Sequence, residues 1–139
     1  PDLMIELKLL NGQFVDYKNI IPKNSTIQVK ADRNALIQSI ERASLLARDD
    51  KNKLIRMDIQ DQIMSINARA EEGTVHEDLV ISKTGDDLEI GFNAQYLLDM
   101  LKSIRDDEIF MNFKSSIDPC IVTPLQGNAY EYLVLPVRL

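Results

Sequence analysis

Few residues in this 139-residue chain could act as reagents, and each is weighed by what stands near it. The one histidine, His76, lies in the polar run Thr74-Val75-His76-Glu77-Asp78. As a general acid or base it would need an orienting partner and a substrate pocket. The sequence sets neither beside it, so a surface histidine is the simpler reading. The one cysteine, Cys120, sits between Pro119 and Ile121 in an apolar run, where a thiol serves as a small core residue. With no second cysteine there is no internal disulfide, which suits a reducing compartment. Asp49-Asp50, Glu71-Glu72, Asp86-Asp87 and Asp106-Asp107-Glu108 are clustered carboxylates of the kind that can hold a hard cation. All four adjoin turn residues and read as solvated loop and helix-end charge. No histidine and cysteine spacing fits a metal site, and the 5 glycines are too scattered for a phosphate-cradling loop. No metal or cofactor is expected.

The apolar residues point to binding instead. The chain closes on Tyr132-Leu133-Val134-Leu135-Pro136-Val137-Arg138-Leu139, where most chains turn polar and fray. In an extended strand Tyr132 and Val134, with Val137 past the proline, face one side. Leu133, Leu135 and Leu139 face the other, which then needs a covering surface. Pro136 halts sheet pairing and frees the last residues to wall a groove. Ile20 and Ile21, set in the proline-bearing polar linker 18–25, are a second pair that something must bury.

The elements that position these residues follow from hydrophobic period. Residues 3–10 alternate as a strand, Asn11-Gly12 is a hairpin turn, and 13–17 read as the return strand. From Thr26 a longer unit begins: a short strand with Ile27 and Val29, an N-cap at Asp32, and a helix carrying Leu36, Ile40, Ala43 and Ala47. A charged loop at 48–53 leads to strands at 54–59, 62–69 and 74–82. The same order then returns. Leu88 and Ile90 form a strand, Asn93 caps a helix with Tyr96, Leu97, Met100, Leu101 and Ile104 inward, and strands follow at 108–113, 117–123 and 129–137.

A shift of 61 residues lays Ile27, Val29, Ala31, Asp32, Leu36 and Ile40 on Leu88, Ile90, Phe92, Asn93, Leu97 and Leu101. Duplication or two independent strand-to-helix units would each produce such a match. The architecture implied is α+β, a pseudo-two-fold repeat of strand-helix-three-strand units with two helices packed side by side on antiparallel sheets. In the first helix Asn34, Gln38, Arg42 and Leu45 oppose the apolar stripe; in the second, Gln95 and Lys102 do. Leu45, beside Leu46, is either a lone surface leucine or part of an interface.

The length and the 45% hydrophobic content allow one ordinary core. No apolar run approaches the roughly 20 residues that cross a bilayer, and the start lacks a signal-peptide layout. A soluble, cytoplasmic protein is expected. The chain opens at Pro1 with a strand that has no partner before it, so an upstream portion is expected too. The net charge of -6 argues against nucleic acid, but its distribution does not. Residues 30–48 hold Lys30, Arg33, Arg42 and Arg48 against Asp32 and Glu41, and residues 93–105 hold Lys102 and Arg105 against Asp99. The two helical segments are therefore basic, and the acidic excess lies elsewhere.

Four separated runs together resemble the bacterial DNA polymerase III β subunit family, the sliding clamps. They are Leu10-Asn11-Gly12-Gln13-Phe14-Val15-Asp16-Tyr17, Ile20-Ile21-Pro22-Lys23-Asn24, the stretch from Glu89 to Asp99, and the terminal run Tyr132 to Leu139. The resemblance covers the whole chain and implies a DNA-clamp fold, with residues 1–25 the end of a second domain and its linker and 26–139 a complete third domain. It implies a processivity factor of DNA replication, a head-to-tail homodimeric ring around duplex DNA, without catalysis of its own within the polymerase holoenzyme. Arg42, Arg48, Lys102 and Arg105 would face DNA, and Leu45 and Leu46 would meet the neighbouring subunit. Short hydrophobic peptide motifs of polymerase, clamp-loader and repair proteins would enter a groove. Its matching positions are Val15, Asn19, Ile20, Asn93, Tyr96, Ile117, Pro119, Leu133, Val134, Leu135, Pro136, Val137, Arg138 and Leu139. The family often has proline at the place of Val15, arginine at that of Asn19, and methionines around the terminal proline where Leu135 and Val137 stand. The rival readings are a small enzyme domain using His76 and a free-standing peptide-binding adaptor.

Overall fold

Alternating aliphatic residues set the strands, and two polar caps set the helices. The computed structural model describes residues 6–9, 25–46, 54–70 and 73–138. In chain order these form β1 (Glu6–Leu9), β2 (Ile27–Asp32), α1 (Arg33–Leu46), β3 (Leu54–Gln60), β4 (Ile63–Ala70), β5 (Gly73–Val80), β6 (Ser82–Thr84), β7 (Leu88–Asn93), α2 (Ala94–Lys102), β8 (Glu108–Phe113), β9 (Cys120–Pro124) and β10 (Tyr130–Val134). The expected return strand at 13–17, Ala47 and the charged loop lie outside the described residues.

One sheet runs β1-β10-β9-β8-β2-β6 and the other β5-β4-β3-β7. The two halves exchange their first strands. β2, which opens the first half, pairs with β8 of the second, bringing Val29 opposite Met111. β7, which opens the second half, pairs with β3 of the first, bringing Met57 opposite Ile90. Every position matched by the 61-residue shift takes an equivalent place: Leu36 with Leu97, and Ile40 with Leu101, are fully buried, while Asp32 and Asn93 each accept helix N–H bonds. One core cluster draws on both sheets and both helices, with Phe92 and Phe113 among its largest members.

A second seam runs through Arg33. This first residue of α1 donates from Nε to the carbonyl of Asp106 at 2.7 Å and from Nη1 to that of Leu101 in the last turn of α2 at 3.1 Å. A guanidinium there adds a charged donor at the carbonyl end of α2 and complements its dipole.

The structure corrects several boundaries. The strand expected at 74–82 is two. β5 ends at Val80, the Ile81 N–H turns to the carbonyl of Gln62 at 2.9 Å, and β6 crosses to pair with β2. The strand expected from 117 begins at Cys120, because Ser115 Oγ donates to Asp118 at 2.6 Å and holds the preceding segment as a loop. The strand expected at 129–137 stops at Val134, ahead of Pro136. Tyr96 is not inward; Leu98 is, since Ala94, Leu97, Leu98 and Leu101 form the three-and-four-spaced stripe and Tyr96 falls at its margin. The sheets are antiparallel except at β1, which runs parallel to β10.

Gly85 makes the turn between β6 and β7 at φ +98, and a Cβ there would strike the carbonyl oxygen of Thr26, which leads into β2. Replacing it with alanine forces both the left-handed backbone and that contact. Gly85→Ala should lower unfolding free energy by at least about 1–2 kcal/mol, read as a lower urea midpoint; an unchanged midpoint would contradict this account of the turn.

Candidate functional site

The terminal segment is docked on both sheets. Val134 is the last residue of β10 and pairs with Cys120, the first of β9. Pro119 and Leu135 therefore leave the ladder side by side. Two residues past Leu135, the Val137 N–H donates to the Gly91 carbonyl of β7 at 2.8 Å, an isolated antiparallel bridge to the other sheet. Gly91 stands two residues before Asn93, whose side-chain oxygen accepts from the N–H groups of Gln95 at 2.9 Å and Tyr96 at 3.2 Å. That cap opens α2 and fixes the first-turn position from which Tyr96 projects.

The result is a run of apolar side chains that the fold leaves in contact with solvent. Ile117 is 62% exposed, Tyr96 39% and Val137 37%. Pro119, Leu135 and Pro136 are half-buried, and Arg138 is exposed. Ile117 is presented by its loop, where its own N–H donates to Ser115 Oγ at 3.2 Å. Leu133 and Val134, expected among the groove residues, are corrected by their burial: both sit inside β10, Leu133 flanked by Leu9 of β1 and Ile121 of β9. As consecutive residues of β10 they face opposite sides of the sheet, and Val134 joins the core. Val15, Asn19, Ile20 and Leu139 lie outside the described residues.

The helical surface is a second candidate. Arg42, Lys102 and Arg105 are exposed, and Arg48 lies outside the described residues. Lys102 at the end of α2 reaches Glu41 on α1 at 2.9 Å. Arg42 itself bonds Glu77 on β5 at 3.0 Å. Leu45 is 60% exposed near the end of the same helix, and the side chain of Leu46 lies outside the described residues.

The residues first weighed for catalysis have other partners. His76 Nδ1 lies 2.6 Å from Asn67 Oδ1 and Nε2 lies 2.7 Å from Asp78 Oδ1, companions that sequence spacing did not show. Ser65 Oγ donates to Asp78 at 2.7 Å rather than to the imidazole, and that bond is the main cause holding the Asp78 carboxyl below its ordinary value. This polar ladder lies on the exposed face of β4 and β5, and no nucleophile meets the ring among the described residues. Burial pushes the Cys120 thiol up, away from the reactive thiolate. Asp87 accepts from Lys83 and from the Asp61 N–H, and Asp106 from the Tyr130 hydroxyl. No group of three metal-ligating side chains is found among the described residues.

Residues 18–138 match the family DNA polymerase III beta subunit, C-terminal domain. The chain belongs to this family. Its relatives include the beta sliding clamps of Staphylococcus aureus, 33% identical over 133 residues (94% of this chain, 35% of that protein), and of Haemophilus influenzae, 29% identical (95% and 36%). Among solved structures, the DNA polymerase III beta subunit of Thermotoga maritima superposes with a TM-score of 0.84 at 33% identity, over 93% of this chain and 35% of that one. The sliding clamp of Pseudomonas aeruginosa bound to griselimycin gives 0.82 at 29% identity, over 93% and 35%. The fold is thus the DNA-clamp fold, and this clamp-family chain spans about a third of the length of the relatives it matches.

Sequence reasoning missed Gly91 as the residue that receives the clamp tail, and Glu41 and Glu77 as partners of the helix cations. A glycine between Ile90 and Phe92 in a strand was the available signal, since it allows close backbone approach. Removing the α2 cap tests how Tyr96 is held. Asn93→Ala should cost about 1 kcal/mol in unfolding free energy while Asn93→Asp, which keeps the acceptor, stays near the parent chain. Equal loss in both variants would show that the cap is not what the side chain provides.

Proposed function

We propose that this chain is the C-terminal part of a replication processivity factor, residues 1–25 ending a second domain and 26–139 forming the third. In the complete protein it would act as a non-catalytic subunit of the polymerase holoenzyme in the cytoplasm. No helix among the described residues is long and apolar enough to cross a membrane. The observation that carries the reading, beyond family membership, is the tail bridged from Val137 to Gly91 beside the capped start of α2. Tyr96, Ile117, Pro119, Leu135, Pro136, Val137 and Arg138, each exposed or half-buried, would form an apolar wall with a cationic rim. Such a surface suits a short extended peptide with aliphatic and aromatic anchors, and Val15, Asn19, Ile20 and Leu139 complete the proposed groove. Polymerase and clamp-loader subunits would supply the peptides. Leu135 and Val137 are stiffer than methionine, which narrows the range of anchors the wall accommodates.

Duplex DNA would be encircled, with Arg42, Arg48, Lys102 and Arg105 facing its phosphates. These are long flexible cations set for positioning, not for reading bases. The ring would close as a homodimer through Leu45 and Leu46. The exposure of Leu45 supports this, as does the position of β5, packed against α1 and last in its sheet, with an edge free for a neighbouring strand among the described residues.

Two measurements test these readings. A fluorescent peptide carrying the polymerase's hydrophobic clamp-binding motif, titrated by anisotropy, should bind at least about tenfold more weakly after Leu135→Asp or Tyr96→Ala, the loss typical of an interface anchor. Binding indifferent to both changes would remove the groove. In ultracentrifugation of the full-length protein, Leu45→Ala with Leu46→Ala should shift the dimer toward monomer; an unaltered dimer would remove the interface.

A further inference from the structure

The helical surface is less cationic than its sequence suggests. Of the three proposed DNA-facing cations that are described, two are already paired within the chain: Lys102 with Glu41, and Arg42 with Glu77. Arg105, past the end of α2, is exposed and meets no carboxylate among the described residues.

The two pairs differ in kind. Glu77 is half-buried against α1 and takes both Nε and Nη2 of Arg42 on one oxygen, at 3.0 Å each, so that pair ties helix to sheet. Glu41 and Lys102 are about half exposed, with 45% and 53% of their side-chain surfaces free, and meet at a single contact of 2.9 Å. An ammonium held this way is a strongly hydrated point charge on a flexible stem, in a contact that solvent and salt screen. A phosphate can displace the carboxylate from it.

We infer that Glu41 is a tuning residue for DNA contact: it competes with phosphate for Lys102. The inference rests on the reading that the helices face DNA. Its consequence is a shallower salt dependence and a weaker hold than the cations alone would give. A ring retained by topology needs no tight hold, and each phosphate contact it keeps must be broken as it moves. Glu41→Gln preserves the shape and an acceptor oxygen but removes the charge, so folding is not the variable.

The test is anisotropy of the full-length protein on a short labelled duplex across a salt series, with Glu41→Gln, Lys102→Ala, Arg105→Ala and the Glu41→Gln/Lys102→Ala pair. Glu41→Gln should bind about two- to fivefold tighter at moderate salt. Its log–log salt slope should steepen by about 0.9 for each Lys102 released. Both gains should vanish in the double variant. Tightening that persists without Lys102 would overturn the competition, as would a Glu41→Gln slope equal to the parent's while Lys102→Ala weakens binding. If neither Lys102→Ala nor Arg105→Ala alters binding, the DNA-facing reading itself falls, and this inference with it.

Discussion

Everything in this fold depends on the exchange of first strands between its halves. β2 completes the sheet built by β8, β9 and β10, and β7 completes the sheet built by β3, β4 and β5. Neither half can pair its backbone or cover its apolar face alone, because the strand it needs comes from the other half. The exchange also fixes the helices. Each follows directly from an exchanged strand, so α1 and α2 start from opposite sheets and pack against one another over a shared core. Arg33 adds a polar tie across the same seam, joining the start of α1 to the end of α2.

The candidate groove inherits its rigidity from that arrangement. β7 carries both Gly91 and Asn93, so the residue that receives the tail and the residue that caps α2 belong to one strand held in the first half's sheet. The tail arrives from the second half by way of β10. A place where two separately anchored backbones meet needs few side chains to hold its shape, and Tyr96 and Val137 there stay at the surface.

The polar groups follow a different rule: among the described residues, several that might have been chemical are engaged locally. His76 lies between Asn67 and Asp78, Asp87 holds Lys83, and Tyr130 holds Asp106. Asn112, buried on the far face of its sheet, donates to the Ile121 carbonyl at 2.8 Å and accepts from Gln28 at 3.0 Å, joining three strands without leaving an amide unsatisfied. The overall acidity of the chain is therefore no guide to any one surface. What matters is which carboxylates stand within reach of which cations, and on the helices that is decided by packing.

The sequence by itself determined what short-range physics controls. Period-two and period-three-to-four patterns placed the strands and both helices, Asp32 and Asn93 announced the caps, and the 61-residue shift revealed two equivalent units. The same reading drew attention to the terminal run and to Leu45, since aliphatic residues at a chain end or on a polar helix face conflict with local expectation. Tertiary structure alone decided the rest. No periodicity says that β2 and β7 trade sheets, that β1 lies parallel to β10, or that residue 81 breaks one strand into two, because those pairings join residues far apart in the chain. Nor could sequence show that Leu133 and Val134 lie inside while Val137 reaches Gly91, or that Glu41 meets Lys102. Alternation gives a strand two faces. Only its neighbours determine which face is covered, and by what.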